Sequence, residues 1–374
     1  MMPLAKAQLL KTLAHDIGFD LVGVTHAAPL ERGAYYRDWL AAGYGASMAY
    51  LQRNVRLRAD PSLLLPGARS VIVTAVAYKR PDGYLTPSVR AHDLPRPPQN
   101  STAPTGRIAQ YARGRDYHLV LRHMLLTLVQ QLRARLAEPF EARVFVDTGP
   151  LLERELAVAA GLGWFGKNTC LLNPRLGSYL LLGEIVSTLE LPPDTPLSQR
   201  CGHCTRCIDT CPTGALVEPH RLDASRCLAY LTIEHRGAIP SRFSTAFGDY
   251  VFGCDLCQQV CPYNAKAPLG THPEINAEHV PATLPLLPLL NLRSGDYRRL
   301  TRDGALRRAH RNMWRRNAAI VLGNHSPRSD AERAALSLAA SDEDAGLRAA
   351  ATAALAHNTP PKTPATPPLD LQTP

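Results

Sequence analysis

Hydrophobic and polar positions in the first half of the chain follow two different periods. Short runs rich in branched residues, each bounded by Pro or Gly, predict β-strands over residues 20–25, 70–78, 142–148 and 178–188. Residues 119–138, like the N-terminal segment, instead carry apolar side chains at helical spacing with charges on the other face, which predicts amphipathic helices. Helices and strands in alternation indicate an α/β or α+β domain.

Proline-rich segments divide the rest of the chain. Residues 86–106 carry five prolines and predict an exposed loop, and 191–197 form a hinge into a cysteine-rich region. Beyond residue 299 the spacing is helical, and the alanine-rich helices resemble HEAT-type repeats. We therefore predict an α+β fold made of an N-terminal α/β domain, a ferredoxin-like cysteine region, a HEAT-like helical region and a disordered Pro/Thr-rich tail, over residues 1–195, 196–268, 269–357 and 358–374.

The composition is that of a globular protein in water. Hydrophobic residues make up 45% of the 374 residues and charged residues 20%, which excludes general disorder. Every stretch of about 20 residues contains charge or proline, so we expect no membrane span. The N-terminal segment lacks the basic-then-apolar order of a signal peptide, and we expect a cytoplasmic protein.

The net charge of +10 is concentrated in one region. Residues 291–316 hold nine arginines against Asp296 and Asp303. A solvated helix face is one interpretation, but so one-sided a run favours a polyanionic partner, with nucleic acid first. Trp314 lies within the run, and we expect it in the core rather than stacked on a base.

Cysteine spacing is the strongest signal in the chain. Eight of the nine cysteines lie between residues 201 and 261: seven form two runs, C-x2-C-x2-C-x3-C-P and C-x2-C-x3-C-P, and one is isolated between them. Thiolates three residues apart can hold one face of a 4Fe–4S cluster, while the cysteine before the proline points to a second cluster. Crossing the two runs predicts that the first cluster is held by Cys201, Cys204, Cys207 and Cys261.

The second cluster lacks one ligand in this scheme, because Val260 stands where a regular second run has a cysteine. The isolated Cys227 completes the set, so we predict a second cluster held by Cys211, Cys227, Cys254 and Cys257. Two zinc sites, one including His203, are the alternative, but zinc explains neither the threefold spacing nor the two prolines. Cys170 stands apart, and we expect it to be buried and inert.

Asp147 is the candidate acid, because it ends a predicted strand where ligands of α/β folds commonly lie. An acid in a dry site has a raised pKa and can donate a proton. The competing role is capping of the next helix, since Asp and Thr favour the N-cap and Pro150 suits the first turn. The sequence leaves these two roles open.

Three further segments are chemically suggestive. Residues 161–166 match G-x-G-x-x-G but follow a predicted helix, so we expect no dinucleotide there. Their glycines either let a bulky cofactor approach the backbone or simply end the helix. The polar segments 111–118 and 231–237 either face a cofactor or form solvated loops.

The motifs now described resemble one known family. The segments VDTGP, GLGWFGKNTCLLNPRLGSYLLLGEI, CGHCTRCIDTCPTGAL, LTIEHRG and GCDLCQQVCPYN, with the isolated Cys227, are similar to epoxyqueuosine reductases over residues 5–325. The resemblance implies an N-terminal domain that binds cobalamin, related to reductive dehalogenases, and two 4Fe–4S clusters that supply its electrons. It implies reduction of epoxyqueuosine to queuosine at the wobble position of tRNA, the last step of queuosine synthesis.

The resemblance also implies roles for individual residues. Asp147 matches the proton donor of the family. The residues expected near cobalamin are Asp147, Arg58, Tyr111, Lys167, Asn168, Thr169, Glu234, Cys254 and Asp255. The residues expected on the tRNA anticodon stem-loop are His235, Arg236, Arg307, Arg308, Arg311, Arg315 and Arg316, where such contacts give affinity rather than base readout.

Two other functions stay open from the sequence. A cobalamin- and iron–sulfur-dependent reductive dehalogenase of small organohalides would share the electron chain, but it does not need the arginine-rich region and usually carries an export signal. An RNA-binding iron–sulfur electron carrier would bind no corrinoid. We also expect a monomer that receives electrons from an unidentified low-potential donor.

Overall fold

A computed structural model of the chain describes residues 2–82, 103–326 and 328–356. Most of the predicted loop over 86–106 and the whole predicted tail over 358–374 lie outside the described residues. The α-helices are α1 (Pro3–Ile17), α2 (Gly33–Ala41), α3 (Ala49–Gln52), α4 (Val55–Ala59), α5 (Tyr117–Arg135), α6 (Glu153–Ala159), α7 (Arg206–Asp209), α8 (Leu228–Ile233), α9 (Leu256–Gln259), α10 (Pro262–Lys266), α11 (Pro273–Asn276), α12 (Leu286–Leu290), α13 (Ser294–Leu300), α14 (Arg311–Gly323), α15 (Asp330–Ala339) and α16 (Ala345–Ala356).

The β-strands are β1 (Leu21–His26), β2 (Ser70–Ala77), β3 (Thr105–Ile108), β4 (Ala142–Phe145), β5 (Trp164–Phe165), β6 (Leu171–Leu172), β7 (Leu180–Ser187), β8 (Leu216–Glu218), β9 (Arg221–Leu222), β10 (Tyr250–Phe252) and β11 (Thr283–Pro285). Short 3-10 helices span Pro61–Leu64, Gln110–Ala112, Ala224–Arg226, Ser241–Phe243, Thr245–Phe247 and Ala305–Arg308.

The four strands predicted from the sequence form one sheet in the order β1-β2-β7-β4. Every neighbouring pair in it is antiparallel; Ile72 of β2, for example, lies beside Val24 of β1 and Ile185 of β7. An α/β domain is built on a mostly parallel sheet, whereas this one is antiparallel throughout. The expectation of an N-terminal α/β domain is therefore corrected to α+β.

Helices cover both faces of this sheet. Side chains alternate along a strand, so Ile72 and Val76 of β2 pack with α1 and α5 on one face. Val71 and Val73 of the same strand pack against α6 on the other face. Because β2 is buried along its whole length, the sheet is the middle layer of three.

The glycine motif ends a helix and turns the chain. Gly161 follows α6 with φ of 74°, a left-handed conformation that favours glycine. A Cβ on Gly163 would lie 2.2 Å from the carbonyl oxygen of Leu172, so the backbones of this loop and β6 approach closely. Gly161 therefore ends the helix, which is the second of the two proposed roles, and the backbone that approaches Gly163 is the protein's own.

A second core joins the three predicted segments. Strands β10, β3 and β11 form one sheet although they come from residues 250–252, 105–108 and 283–285. Ile108, Phe252 and Leu286 belong to the same buried cluster as α14 and α16. The core therefore runs across the boundaries predicted near residues 195 and 268.

The C-terminal helices pack on this second core. Helix α14 lies along α16, and α15 packs on α16 after a capping box formed by Ser329 and Glu332. Trp314 of α14 is fully buried and stacks on Phe252 with ring centroids 5.1 Å apart, which confirms its core position. The HEAT-like character of this region stays a prediction. No described helix is long and apolar enough to cross a membrane.

Candidate active site

The first group of thiols forms where the two cysteine runs meet. Cys201, Cys204, Cys207 and Cys261 line one cleft together with Asn168 and Tyr263. Burial and then the neighbouring Cys261, Cys204 and Cys201 raise the pKa of Cys207 to about 12. Four thiols this close repel one another as thiolates, so the set fits a positively charged iron–sulfur core that would stabilise the anionic form.

The second group lies deeper in the fold. Burial raises the pKa of Cys254 most, and Cys227 at the N-terminus of α8 raises it further. Cys211 raises the pKa of both thiols. Cys257 neighbours Cys254 and Cys227 in turn. The structure thus brings together each set of four that the crossed scheme predicts. All nine cysteines are free thiols.

Cys170 differs from the sequence-based expectation. It is partly exposed rather than buried; its thiol donates to the carbonyl oxygen of Asn168 at 3.8 Å, and its interaction with Cys257 lowers the pKa of Cys170. Cys170 is therefore a fifth thiol beside the second set rather than an isolated one. Its place in a loop far from both runs hid this contact from the sequence.

The two thiol sets differ in their access to solvent. Gly202, His203 and Arg206 around the first set are exposed, whereas Gly253, Asp255 and the other residues flanking Cys254 are buried. The first set is therefore the outer one and the second the inner one. In the described ranges, no three His, Cys, Asp or Glu side chains converge on a single metal ion.

Asp147 lies in the turn between β4 and α6. Helix α6 begins at Glu153 with Leu152 at its N-cap, so Asp147 does not cap it and that alternative is wrong. Asp147 has φ of 54°, which is unusual for a residue with a side chain. Its backbone N–H donates to Oε1 of Glu153 at 2.5 Å, while its side chain is 55% exposed.

His118 connects Asp147 to a second carboxylate. Its Nε2 lies 3.1 Å from Oδ2 of Asp147, and its Nδ1 lies 2.7 Å from Oδ1 of Asp116. Burial opposes the charged ring, but the hydrogen bonds to Asp116 and Asp147 outweigh it and raise the pKa of His118 to about 9. The same contact lowers the pKa of Asp147 against the opposing effect of burial. At neutral pH the proton of this pair therefore resides on His118.

Aromatic and charged side chains surround the acid. Tyr117 stacks on His118 with ring centroids 4.1 Å apart, and Tyr111 packs edge-on against Tyr117. Glu234 accepts a hydrogen bond from Nε of Arg308 at 2.6 Å, and this arginine lies over the ring of Tyr50. The charges of Asp147 and Glu234 both act on Tyr111, whose pKa is raised chiefly by burial. Residues 111–118 and 231–237 are thus neighbours of the acid.

Several predicted cobalamin residues hold loops in place. Arg58 donates to the carbonyl oxygens of Gly149 and Leu151 at 3.4 and 3.5 Å, so it braces the loop of Asp147. Lys167 donates to the carbonyl of Gly202 at 2.7 Å in the outer cysteine loop. The carbonyl oxygen of Thr169 accepts from Arg154 of α6.

Asn168 and Asp255 belong to the inner cysteine region. Asn168 is buried and donates to the carbonyl of Cys257 at 3.3 Å. Asp255 is buried beside Cys254 and accepts the backbone N–H of Gln110 at 2.8 Å. Burial raises the pKa of Asp255 to about 6. Both side chains therefore tie the inner cysteines to the N-terminal domain.

Two predicted tRNA contacts are corrected by the structure. Arg316 is 1% exposed and donates to the carbonyl oxygens of Leu231, His235 and Gly237, so it holds the core and cannot reach a phosphate. Arg315 is also mostly covered and pairs with Asp342 at 2.8 Å. Counting arginines along the sequence could not separate these inward positions of α14 from outward ones.

The remaining predicted tRNA residues lie at or near the surface. Arg307 and Arg308 are exposed, and Arg308 links this surface to Glu234. Arg236 and Arg311 line an open cleft of about 360 Å³ at the start of α14. The ring of His235 bonds the carbonyl of Ala238 at 2.9 Å.

Paired sets of four thiols are the ligand arrangement of two-cluster iron–sulfur proteins, and a comparison with protein families agrees. Residues 200–264 match the family described as "4Fe-4S double cluster binding domain". The chain is therefore of the two-cluster iron–sulfur class, which replaces the zinc alternative.

Residues 58–148 match a second family, described as "Epoxyqueuosine reductase QueG, DUF1730". The epoxyqueuosine reductase of Xanthomonas campestris is 41% identical over 92% of this chain and 94% of its own length. A crystal structure of an epoxyqueuosine reductase with an epoxyqueuosine-modified tRNA-Tyr stem loop superposes with a TM-score of 0.82 at 31% identity, covering 94% of this chain and 90% of that one. The chain belongs to the epoxyqueuosine reductase family of oxidoreductases, as the motifs predicted.

A further relative was solved with its catalytic loop displaced. The epoxyqueuosine reductase of Bacillus subtilis, at 28% identity and a TM-score of 0.75, covers 94% of this chain and 99% of its own. It was solved with its catalytic aspartate loop swung out of the active site. Family membership also replaces the dehalogenase and electron-carrier alternatives.

Proposed function

We propose that the chain reduces the epoxide of epoxyqueuosine in tRNA to queuosine, the last step of queuosine synthesis, with Asp147 as the acid. The observation that carries this role is the position of Asp147, half-exposed on one side and in contact with a protonated His118 on the other. The family assignment supports the reaction, and the relative that holds a modified tRNA stem loop supports the substrate.

The reaction needs both electrons and protons. Removing the epoxide oxygen breaks two C–O bonds, forms a carbon–carbon double bond and releases water, so two electrons and two protons are consumed. An alkoxide is a poor leaving group, and a positioned acid accelerates such a step by roughly 10²–10⁴-fold. The site must therefore supply a proton where the oxygen departs.

Asp147 and His118 together meet this need. The carboxylate of Asp147 is ionised at neutral pH, so by itself it has no proton to give. His118 holds one 3.1 Å away and can pass it through Asp147 as negative charge develops on the substrate oxygen. Asp116, 2.7 Å from Nδ1, orients the ring and stabilises its charge.

The residues around Asp147 fit cobalamin as the cofactor. Tyr111 offers an aromatic surface next to the acid, Glu234 offers acceptors, and Nε of Arg58 is buried without a partner among the described residues. An acceptor on a bound molecule would satisfy this buried donor. Cobalamin, when bound, supplies the low-valent cobalt centre that delivers the electrons to the epoxide carbon.

Electrons would arrive through two 4Fe–4S clusters. We assign Cys201, Cys204, Cys207 and Cys261 to an outer cluster that an external low-potential donor reaches. We assign the second set, Cys211, Cys227, Cys254 and Cys257, to an inner cluster. Cys227 and Cys254 pack against the same core as Tyr111, so the inner cluster lies on the way to the acid.

The tRNA would lie over the exposed arginines beside the acid. Arg307 and the cleft of Arg236 and Arg311 offer positive charge for phosphates of the anticodon stem. The wobble base must be turned out of the loop to reach the site. We infer that the loop of Asp147 moves during this entry; the Bacillus subtilis relative, solved with its catalytic aspartate loop swung out of the active site, supports this.

The test is conversion of epoxyqueuosine in tRNA under anaerobic conditions, with cobalamin and a low-potential reductant, followed by nucleoside analysis. Wild type should form queuosine, and Asp147→Ala should form none while it keeps its iron and corrinoid. A fully active Asp147→Ala would remove the acid from the mechanism. Failure of the wild type to convert the nucleoside would overturn the function itself.

A further inference from the structure

A carboxyl group is buried in the central sheet beneath the loop of Asp147. Glu184 of β7 is fully buried, and neither carboxyl oxygen has a hydrogen-bond partner among the described residues. In the register of the sheet it lies beside Val73 of β2 and Phe145 of β4, so its side chain points to the face that α6 covers. An ionised carboxylate in such a place is strongly disfavoured.

Glu153 is the neighbour that can form the missing hydrogen bond with Glu184. The two carboxyl groups lie within hydrogen-bonding reach of each other, and neither can donate when both are ionised. One shared proton supplies the missing donor, as in other close carboxyl pairs. Burial raises the pKa of Glu184 well above its ordinary value and that of Glu153 to about 7.

The charged groups around this pair are few. The charge of Asp147 raises the pKa of both carboxyls, whereas the backbone N–H of Asp147 and the charge of Arg154 lower that of Glu153. As the pH rises above about 7, Glu153 ionises while Glu184 keeps its proton, so the pair carries one proton and one negative charge. Loss of that proton at alkaline pH would place two buried carboxylates beside Asp147.

Glu153 also holds the acid. It accepts the backbone N–H of Asp147 at 2.5 Å, at a residue whose φ of 54° needs support from its surroundings. We propose that Glu153 is the positioning residue for Asp147, and that a proton shared with Glu184 keeps its carboxyl turned toward the loop. This inference rests on the proposed role of Asp147 as the acid.

The test compares three substitutions with a control on the same helix. In Glu153→Ala the tie is gone, whereas the amide oxygen of Glu153→Gln can still accept the N–H and its NH₂ group can donate to Glu184. Glu184→Gln replaces the shared proton by a permanent donor. Glu155→Gln, which alters a side chain paired with Arg32 instead, is the matched control.

The first measurement is amide hydrogen exchange of the peptide over residues 144–152, after correction for the intrinsic pH dependence of exchange. Glu153→Ala should lose protection of the Asp147 amide by at least tenfold, while Glu153→Gln and Glu155→Gln keep it. Wild-type protection should fall at alkaline pH, where the shared proton is lost, and Glu184→Gln should abolish that dependence. Unchanged protection in Glu153→Ala, or loss in Glu153→Gln as large as in Glu153→Ala, would overturn the proposal.

The second measurement is turnover of modified tRNA. Glu153→Ala should lower kcat by about 100-fold with KM changed less than twofold, because a displaced acid harms the chemical step more than binding. Normal kcat in Glu153→Ala would contradict the positioning role. The exchange experiment needs neither cofactor nor turnover, so an inactive wild type would refute the proposed function and leave this test intact.

Discussion

His118 provides the sharpest test of how the acid obtains its proton. With a pKa of about 9, the ring is protonated in about 97% of molecules at pH 7.5, against about 9% for an ordinary histidine of pKa 6.5. His118→Gln keeps a polar side chain but removes this proton. We expect kcat to fall by about 10- to 100-fold at pH 7.5, since the carboxylate of Asp147 loses its source.

The shape of the pH profile separates proton supply from packing. In the Glu184→Gln background, where a permanent donor replaces the shared proton, kcat should decline through pH 9 as His118 loses its proton. Adding His118→Gln should then leave kcat flat between pH 8 and 10. The assay is anaerobic turnover of modified tRNA with reduced methyl viologen, whose potential does not change with pH. His123→Gln, at an exposed position of the same helix α5, is the control and should behave as wild type.

The free energy of unfolding provides an independent test of the contact between His118 and Asp147. A rise in the pKa of His118 from 6.5 to about 9 corresponds to about 3.4 kcal/mol. Because the side chain of Asp147 is 55% exposed, solvent screening reduces this to about 1–2 kcal/mol. A raised pKa stabilises the fold fully below pH 6.5 and ceases to do so as the pH rises through 9. Urea unfolding should show wild type exceeding His118→Gln by this amount at pH 6 and converging by pH 10.

Two outcomes would refute the reasoning. The first is a wild-type kcat that stays constant from pH 8 to 10 under saturating reductant. The second is a His118→Gln enzyme in the Glu184→Gln background that keeps the same alkaline decline, since another group would then control it.

Three further outcomes follow from the structure. Cys227→Ala should lower the iron content from about eight to about four per chain, whereas Cys170→Ala should keep it, as an iron assay of anaerobic protein will show. Arg307→Ala should weaken tRNA binding and reduce its dependence on salt, measured by titration at several salt concentrations. Arg316→Met should instead lower the free energy of unfolding by about 3 kcal/mol, because buried carbonyl groups lose their donor; an unchanged urea midpoint would contradict this.

The cysteine sites could be predicted from the sequence because their ligands follow one another at short, regular intervals. Three-residue steps bring thiols to one side of a tight loop whatever the rest of the fold does. The observed partner of Cys207 in the other run, Cys261, follows from the same scheme. The scheme could not place Cys170, because its contact with Cys257 depends on how distant loops pack.

Electrostatic residues were harder to place from sequence. An arginine contributes the same charge to a count whether it faces solvent, as Arg307 does, or a buried row of carbonyls, as Arg316 does. Glu184 looked like an ordinary polar residue in a strand. Its unusual state arises from the antiparallel pairing of β7 with β4 and from the return of α6 across that face, which no local pattern encodes.

The same topology explains why the acid and the cysteines are held so differently. The inner cysteines are tied by buried groups such as Asn168 and Asp255, which suits ligands that must not move. Strand β4 is an edge strand with one neighbour, and Asp147 lies just beyond it. Its loop is held by the side chains of Glu153, His118 and Arg58 rather than by a ladder of strand hydrogen bonds. Side-chain ties of this kind can break together without disturbing the sheet, so the loop can leave the site while the electron path stays in place.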